Sequence, residues 1–210
     1  MQLTFLVYEG VEPIDLAAIG VISMAKRIIP ELSYQIVALR NEPVELSNGL
    51  RVLPNARFDE VAQVDVLMVP GGPGWRAASQ DRETLAFIRR VAAPAAATVC
   101  SVCTGAMILA AAGTLDGLHA TTKTEVVAPE ASPLLELRGR YPNVHAQAAL
   151  LVDNGAVITG GGVSLCIDTT LHLLQRRFGR PAAEEVARIL EYSAAWQANS
   201  RRPAVIRDRL

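Results

Sequence analysis

Thr98-Val99-Cys100-Ser101-Val102-Cys103-Thr104-Gly105 is the stretch on which the fold turns: a short apolar, strand-like run ends in a thiol and passes directly into a helical pattern. The helix that follows is marked by the apolar run Ala106 to Leu109 and closed by Gly113. A side chain at a tight strand-to-helix turn projects clear of the sheet, and the free N–H groups of the new helix stabilise negative charge beside it. The thiolate is the reactive form of cysteine, so such a turn can make Cys103 a nucleophile. The residue types leave a second reading open, a buried cysteine that only packs at a strand end.

Working outward, Leu3 to Val7, Tyr34 to Leu39, Val64 to Val69 and Ala97 to Val102 are short, apolar and rich in β-branched residues. Runs of that kind are strands covered on both faces. Helical patterns lie between them, Leu16 to Ile29 ended by Pro30 and Arg82 to Ala93 ended by Pro94. The alternation predicts a three-layer, doubly wound α/β sandwich built on a mostly parallel sheet. Ala148 to Val152 and Ala156 to Thr159 flank Asp153-Asn154-Gly155, a turn signal, and predict a late β-hairpin. Gly160-Gly161-Gly162 then leads into a helix over Val163 to Arg177, and a last helix spans Ala182 to Tyr192.

At 210 residues, 50% of them hydrophobic, the chain can bury one substantial core. A single domain over residues 1–196 is expected, with 197–210 as a C-terminal surface arm too short for a DNA-binding helix-turn-helix unit. Lys plus Arg number 20 against 21 Asp plus Glu. That balance advertises neither nucleic acid nor an anionic membrane, which leaves small-molecule chemistry. The N-terminus has no secretory pattern and no apolar run reaches spanning length, so the sequence reads as cytoplasmic. Three cysteines do not make a disulfide framework. Cys100 and Cys103 form a C-x-x-C pair, but neither Cys166 nor His119, His145 or His172 adds a ligand at zinc spacing, so no metal is expected. Cys100 falls back inside the strand and reads as packing.

Two further elements reach the carboxyl ends of the strands, where doubly wound sheets bind ligands. One is Val69-Pro70-Gly71-Gly72-Pro73-Gly74-Trp75. Gly71 or Gly72 would supply half of an oxyanion hole and the Thr104 N–H the other half, with Trp75 as a pocket wall. The alternative is a loop whose glycines only reverse the chain. The other element is Glu12-Pro13-Ile14-Asp15-Leu16, in which Asp15 is either an N-cap or a carboxyl group that carries a proton beside the thiol.

The Pro-Gly-Gly loop, the Ser-Val-Cys-Thr-Gly elbow, Ala120-Thr121-Thr122, and Thr159-Gly160-Gly161-Gly162 with Ile167-Asp168 together resemble the ThiJ/PfpI superfamily of flavodoxin-like, glutamine-amidotransferase-like folds. The match runs in order from about Leu3 to Tyr192. Ile14-Asp15-Leu16 and Cys103 followed by Thr104 look most like its isonitrile hydratase branch and the sensor domains of some transcription regulators. The resemblance implies Cys103 as nucleophile, Asp15 as its carboxylic partner, and Gly72 and Thr104 as oxyanion or thiolate contacts. It also implies a homodimer that needs no cofactor.

This chain departs from the pattern in two places. Peptidase-like members place His directly after the nucleophile, where Thr104 stands here. Many relatives carry His after Ala-Thr-Thr, where this chain has Lys123, one of only two lysines. Lys123 would hold an anionic substrate or lower the thiol's pKa, unless it is a solvated surface lysine. The expected activity is hydration of an isonitrile to an N-formamide through a Cys103 thioimidate. The alternatives are glyoxalase or hydrolase action on reactive carbonyls and a non-catalytic thiol-based sensor.

Overall fold

The computed structural model, which describes residues 1–93 and 96–206, gathers the apolar runs into one central sheet. Among the described residues, the strands in chain order are β1 (Gln2–Leu6), β2 (Ser33–Ala38), β3 (Val44–Glu45), β4 (Arg51–Val52), β5 (Ala56–Arg57) and β6 (Val66–Val69). They continue with β7 (Thr98–Ser101), β8 (His119–Ala120), β9 (His145–Ala146), β10 (Leu151–Asp153), β11 (Val157–Gly160) and β12 (Val205–Ile206). The helices are α1 (Ala17–Ala25), α2 (Trp75–Ala78), α3 (Arg82–Ala92), α4 (Gly105–Ala111), α5 (Pro133–Arg140), α6 (Leu165–Phe178), α7 (Arg180–Ile189) and α8 (Ser193–Asn199). Short 3-10 helices cover Pro13–Leu16 and Phe58–Glu60.

The main sheet runs β12-β10-β11-β7-β6-β1-β2-β5. Its pairs are parallel except for the β10–β11 hairpin, whose turn carries Gly155 at φ +84°. Side chains alternate between faces with period two, and the two packing clusters follow that alternation. Leu6, Leu67, Val69 and Val99 point to the layer that holds Leu85, Ile88, Met107 and Leu137 of α3, α4 and α5. Leu3, Phe5, Met68 and Cys100 point to the layer of α1, α6 and α7, with Ile22, Leu171 and Val186. The three-layer, doubly wound α/β architecture with a late hairpin is therefore the observed one, and Cys100 is a buried member of it.

Several boundaries differ from the sequence reading: the helix expected over Ala182 to Tyr192 is α7, Arg180–Ile189, and α8 follows it after a break at Glu191, whose backbone is left-handed at φ +54°. Three further differences bear on the site and the sheet edge. The first helix stops at Ala25 rather than Ile29: the N–H groups of Ile28 and Ile29 both return to the Ala25 carbonyl, which tightens the chain before Pro30. Proline bars helical geometry from the residue before it, so the terminal turn unwinds early. The long helix begins at Leu165, because Val163 takes a left-handed backbone, φ +59°. The third difference corrects the surface arm. Within it, Ser200 follows the end of α8 and Val205–Ile206 joins the sheet as β12, parallel to β10. The Leu150 N–H donates to the Pro203 carbonyl at 2.6 Å, so this edge is hydrogen-bonded rather than free. Residues 207–210 of that arm, and the Pro94 helix stop, lie outside the described residues.

Candidate active site

Four strand ends meet around Cys103. The 3-10 helix after β1 carries Asp15, the loop after β6 carries Gly71 and Gly72, the turn after β7 carries Cys103 itself, and the turn after β11 carries Val163. Cys103 sits at φ +54°, a conformation in which L-residues are strained, and this aims its side chain off the end of β7. Its backbone is held on both sides: the N–H donates to the Gly161 carbonyl at 3.0 Å, and the Thr122 hydroxyl donates to its carbonyl at 2.8 Å. Strain at a nucleophile persists only where neighbours over-determine the geometry, and these bonds do so.

Cys103 is 2% exposed, and its thiol is pulled in opposite directions. Burial first, and the charge of Asp15 second, push the thiol up to about 12. The backbone N–H groups of Val163 and Thr104 beside the sulfur, and the Lys123 ammonium, pull it back. Asp15 is fully buried, and burial lifts its carboxyl to about 7 against the Gly71 N–H that stabilises the carboxylate; Glu12 adds to the rise. Asp15 Oδ2 accepts from that N–H at 2.7 Å, and Oδ1 has no hydrogen-bond partner among the described residues. The N-cap alternative for Asp15 is thereby corrected. Its side chain caps neither the 3-10 helix nor α1, because the carboxylate turns inward to Gly71.

The glycine loop is shaped by close approach. A Cβ on Gly71 would stand 2.3 Å from the Thr104 nitrogen and 2.7 Å from the Cys103 Cβ, so only glycine lets β6 pass the elbow. The Gly72 N–H donates to Thr104 Oγ1 at 2.9 Å. Both glycine N–H groups are thus already engaged, one by Asp15 and one by Thr104. The donors that reach the sulfur are instead those of Thr104 and Val163. Gly71 acts as the bridge that joins Asp15 to the elbow, and Gly72 fixes the Thr104 side chain.

A cavity of about 390 Å³ opens beside the thiol, lined by Gly72, Trp75, Cys103, Thr104, Lys123 and Val163 among others. Trp75 is a buried wall with the Arg76 guanidinium 4.4 Å from its ring centre. Lys123 reaches the cavity and pairs with Glu130 at 2.6 Å. Tyr8 closes the site from behind: its hydroxyl donates to the Pro70 carbonyl at 2.8 Å, and burial with Asp15 and Cys103 nearby raises its pKa. Cys166 lies beneath, its thiol 3.4 Å from the Ile14 carbonyl, and Asp168 accepts from Tyr192 and Asn199 on the far side of α6. Among the described residues no three His, Cys, Asp or Glu side chains gather in a metal-holding group, and no helix is long and apolar enough to cross a membrane.

A model of the DJ-1/PfpI family matches residues 1–176, a span that takes in the elbow, the glycine loop and the buried carboxyl. The chain belongs to the DJ-1/PfpI family. Within it, the chain is 35% identical to an isonitrile hydratase from Pseudomonas putida over 195 residues, 93% of this chain and 80% of that protein. It is 28% identical to the HTH-type transcriptional regulator GbdR of Pseudomonas aeruginosa over 90% of its own length, and spans half the length of that regulator. A crystal structure of a ThiJ/PfpI family protein from Pseudomonas syringae superposes with a TM-score of 0.77 at 30% identity, covering 91% of this chain and 74% of the other.

Sequence reasoning missed Val163, Tyr8 and Glu130 in this DJ-1/PfpI site. For Val163 a signal existed. Three glycines in a row ahead of a helix mark a backbone that must turn sharply, and the first N–H groups beyond such a turn are free to donate. Tyr8 and Glu130 carry no comparable local pattern.

Proposed function

We propose that this chain is a cofactor-free, cysteine-dependent hydratase that converts a small isonitrile to its N-formamide. The observation that carries the reading is a buried carboxyl, bonded to the Gly71 N–H and lifted to about 7, placed across Gly71 from a buried thiol at a nucleophile elbow. The identity to an isonitrile hydratase over nearly the whole chain supports the same reaction.

The steps follow from the pKa order. A thiol raised to about 12 is protonated at neutral pH and needs a base; Asp15, near 7, is half ionised there and takes the proton. The sulfur then bonds to the terminal isonitrile carbon, while the Thr104 and Val163 N–H groups stabilise the sulfur as it sheds its proton. Asp15 returns the proton to that carbon, which leaves a thioimidate, R–N=CH–S–Cys103. Water adds to the same carbon with its proton passing through Asp15 to nitrogen. Collapse of the adduct breaks the C–S bond, giving R–NH–CHO and the free thiol. Thr104 is the positioning residue, its hydroxyl pinned by Gly72 so that its N–H faces the sulfur.

Purified protein incubated with an aryl isonitrile should form the formamide, and Cys103→Ala should abolish it. Absence of turnover by the parent, or equal turnover by the variant, would overturn the hydratase reading. The identity to a transcription regulator favours a second reading, Cys103 as a sensor. A raised thiol pKa argues against oxidant sensing, since attack on peroxide needs the thiolate. Peroxide titration with mass spectrometry separates the two: the hydratase reading expects no selective Cys103 sulfenic acid at substoichiometric oxidant, and sensing requires it.

A further inference from the structure

The two cations that line the cavity beside Cys103 are each neutralised by a carboxylate of the same wall. The Arg76 guanidinium grips Glu136 through both terminal nitrogens, and Arg140 reaches that carboxylate at 3.3 Å. Lys123 Nζ stands 2.6 Å from Glu130 Oε1, and the hydrogen bond from Lys123 holds Glu130 below the usual carboxylate range. The remaining charged group, Glu12, accepts from the Ser47 hydroxyl at 3.2 Å and faces no cation among the described residues. Arg76 and Arg140 share Glu136, so an entering molecule meets cations that are already paired, with Glu12 as the carboxylate that has no ion-pair partner among the described residues.

Lys123 is the cation whose position matters most. Its side chain is 19% exposed and Glu130 42%, so the lysine lies in the cavity wall and Glu130 meets it from the solvent side. Its stem is pressed on Gly162: a Cβ there would stand 2.7 Å from both Lys123 Cβ and Cγ. The lysine is thereby fixed next to the segment whose Val163 N–H holds the sulfur, and its ammonium is near enough to act on the Cys103 thiol. With the stem clamped, the charge presented to an incoming molecule depends on Glu130.

We propose that Glu130 is the specificity-determining residue of this site: by occupying Lys123 it makes the cavity accept small uncharged electrophiles and refuse carboxylate-bearing ones. The proposal rests on the reading of Cys103 as the nucleophile and names the substrate class, uncharged isonitriles with an apolar body to lie against Trp75. It reverses the expectation that Lys123 holds an anionic substrate.

The test uses two alkylating reagents with the same leaving group, neutral iodoacetamide and anionic iodoacetate, on the full chain. In each case a C–S bond forms, iodide leaves and the thiol proton passes to buffer. Labelling of Cys103 is followed by peptide mass spectrometry. The parent should prefer iodoacetamide over iodoacetate more strongly than free cysteine does at the same pH. Glu130→Gln, which frees the ammonium, should narrow that preference about three- to fivefold, the factor expected of a partly exposed charge. The double variant Lys123→Gln with Glu130→Gln should restore the parental preference. An unchanged preference in Glu130→Gln, or an equal change for both reagents, overturns the proposal while leaving Cys103 as nucleophile. Failure of iodoacetamide as well as iodoacetate to label Cys103 overturns the nucleophile reading and this proposal together.

Discussion

Asp15 is the residue whose burial decides most at this site, and its cost is measurable. An aspartate whose carboxyl is lifted from 3.8 to about 7 binds its proton more tightly in the folded chain than in the unfolded one. Stability therefore falls as pH rises from about 4 to about 7, because the folded state must give up a proton it holds and the unfolded state has already lost it. Asp15→Asn keeps an oxygen for the Gly71 N–H and removes the titration. The variant should unfold at higher denaturant than the parent at pH 8 and converge with it at pH 4, the gap bounded at about 4 kcal/mol. A gap independent of pH would contradict the buried, ionising carboxyl. The same residue governs rate: kcat/KM for an isonitrile should rise through pH 7 as Asp15 ionises, and Asp15→Asn should lose that limb along with most activity. Asp15 and Cys103 were legible from sequence because each stands at a punctuated position, after Pro13 and at a strand-helix junction. The choice between N-cap and proton carrier was not, since it depends on whether the carboxyl faces solvent or the Gly71 peptide.

At the scale of elements, two turns shape the site. The β7–α4 elbow needs glycine at 105 because a Cβ there would stand 2.1 Å from the Val69 carbonyl oxygen, a backbone atom of β6. Gly105→Ala should cost about 1–3 kcal/mol, the range for overpacking a tight core, and should also lower kcat because Thr104 moves with the helix start. The β11–α6 turn is held differently. Val163 occupies a left-handed backbone at a cost of about 1–2 kcal/mol, with its side chain 38% exposed and little burial to offset it. Glycine relieves that strain but adds about 0.5–1 kcal/mol of unfolded-state entropy. Val163→Gly should therefore melt no earlier than the parent, yet turn over more slowly, because its N–H is less firmly aimed at sulfur. Melting several degrees earlier would show that the side chain, rather than the N–H, is what the position needs. Periodicity read the start of α6 two residues early for the same reason: a β-branched valine ahead of an apolar helix looks helical until a tertiary contact, here with the Cys103 sulfur, pulls it out.

Across the whole molecule, the site draws on the hydrogen-bonded edge of the sheet as well as its centre. The parallel core was readable because strands buried on both faces are uniformly apolar, whereas β12 is two residues long and leaves no periodic trace. Yet β12 connects to the nucleophile through an unbroken series of backbone bonds. The Leu150 N–H donates to Pro203, the Gly161 N–H donates to the Leu150 carbonyl at 2.9 Å, and the Cys103 N–H donates to the Gly161 carbonyl. Removing residues 203–210 takes away the first of these bonds and the β10–β12 pairing, and each lost backbone bond is worth about 1 kcal/mol net. The truncated chain should lose about 1–3 kcal/mol of stability. Its hydrogen exchange should quicken first over 150–153, then at Gly161, with β1 and β6 unaffected because they pair elsewhere. If the series carries position to the elbow, iodoacetamide labelling of Cys103 should also change in rate while the fold persists at 25 °C. Unchanged exchange at Gly161 together with faster exchange at Leu151 and Val152 would show that the edge stabilises β10 alone and that the elbow is held by Thr122 and the glycine loop without it.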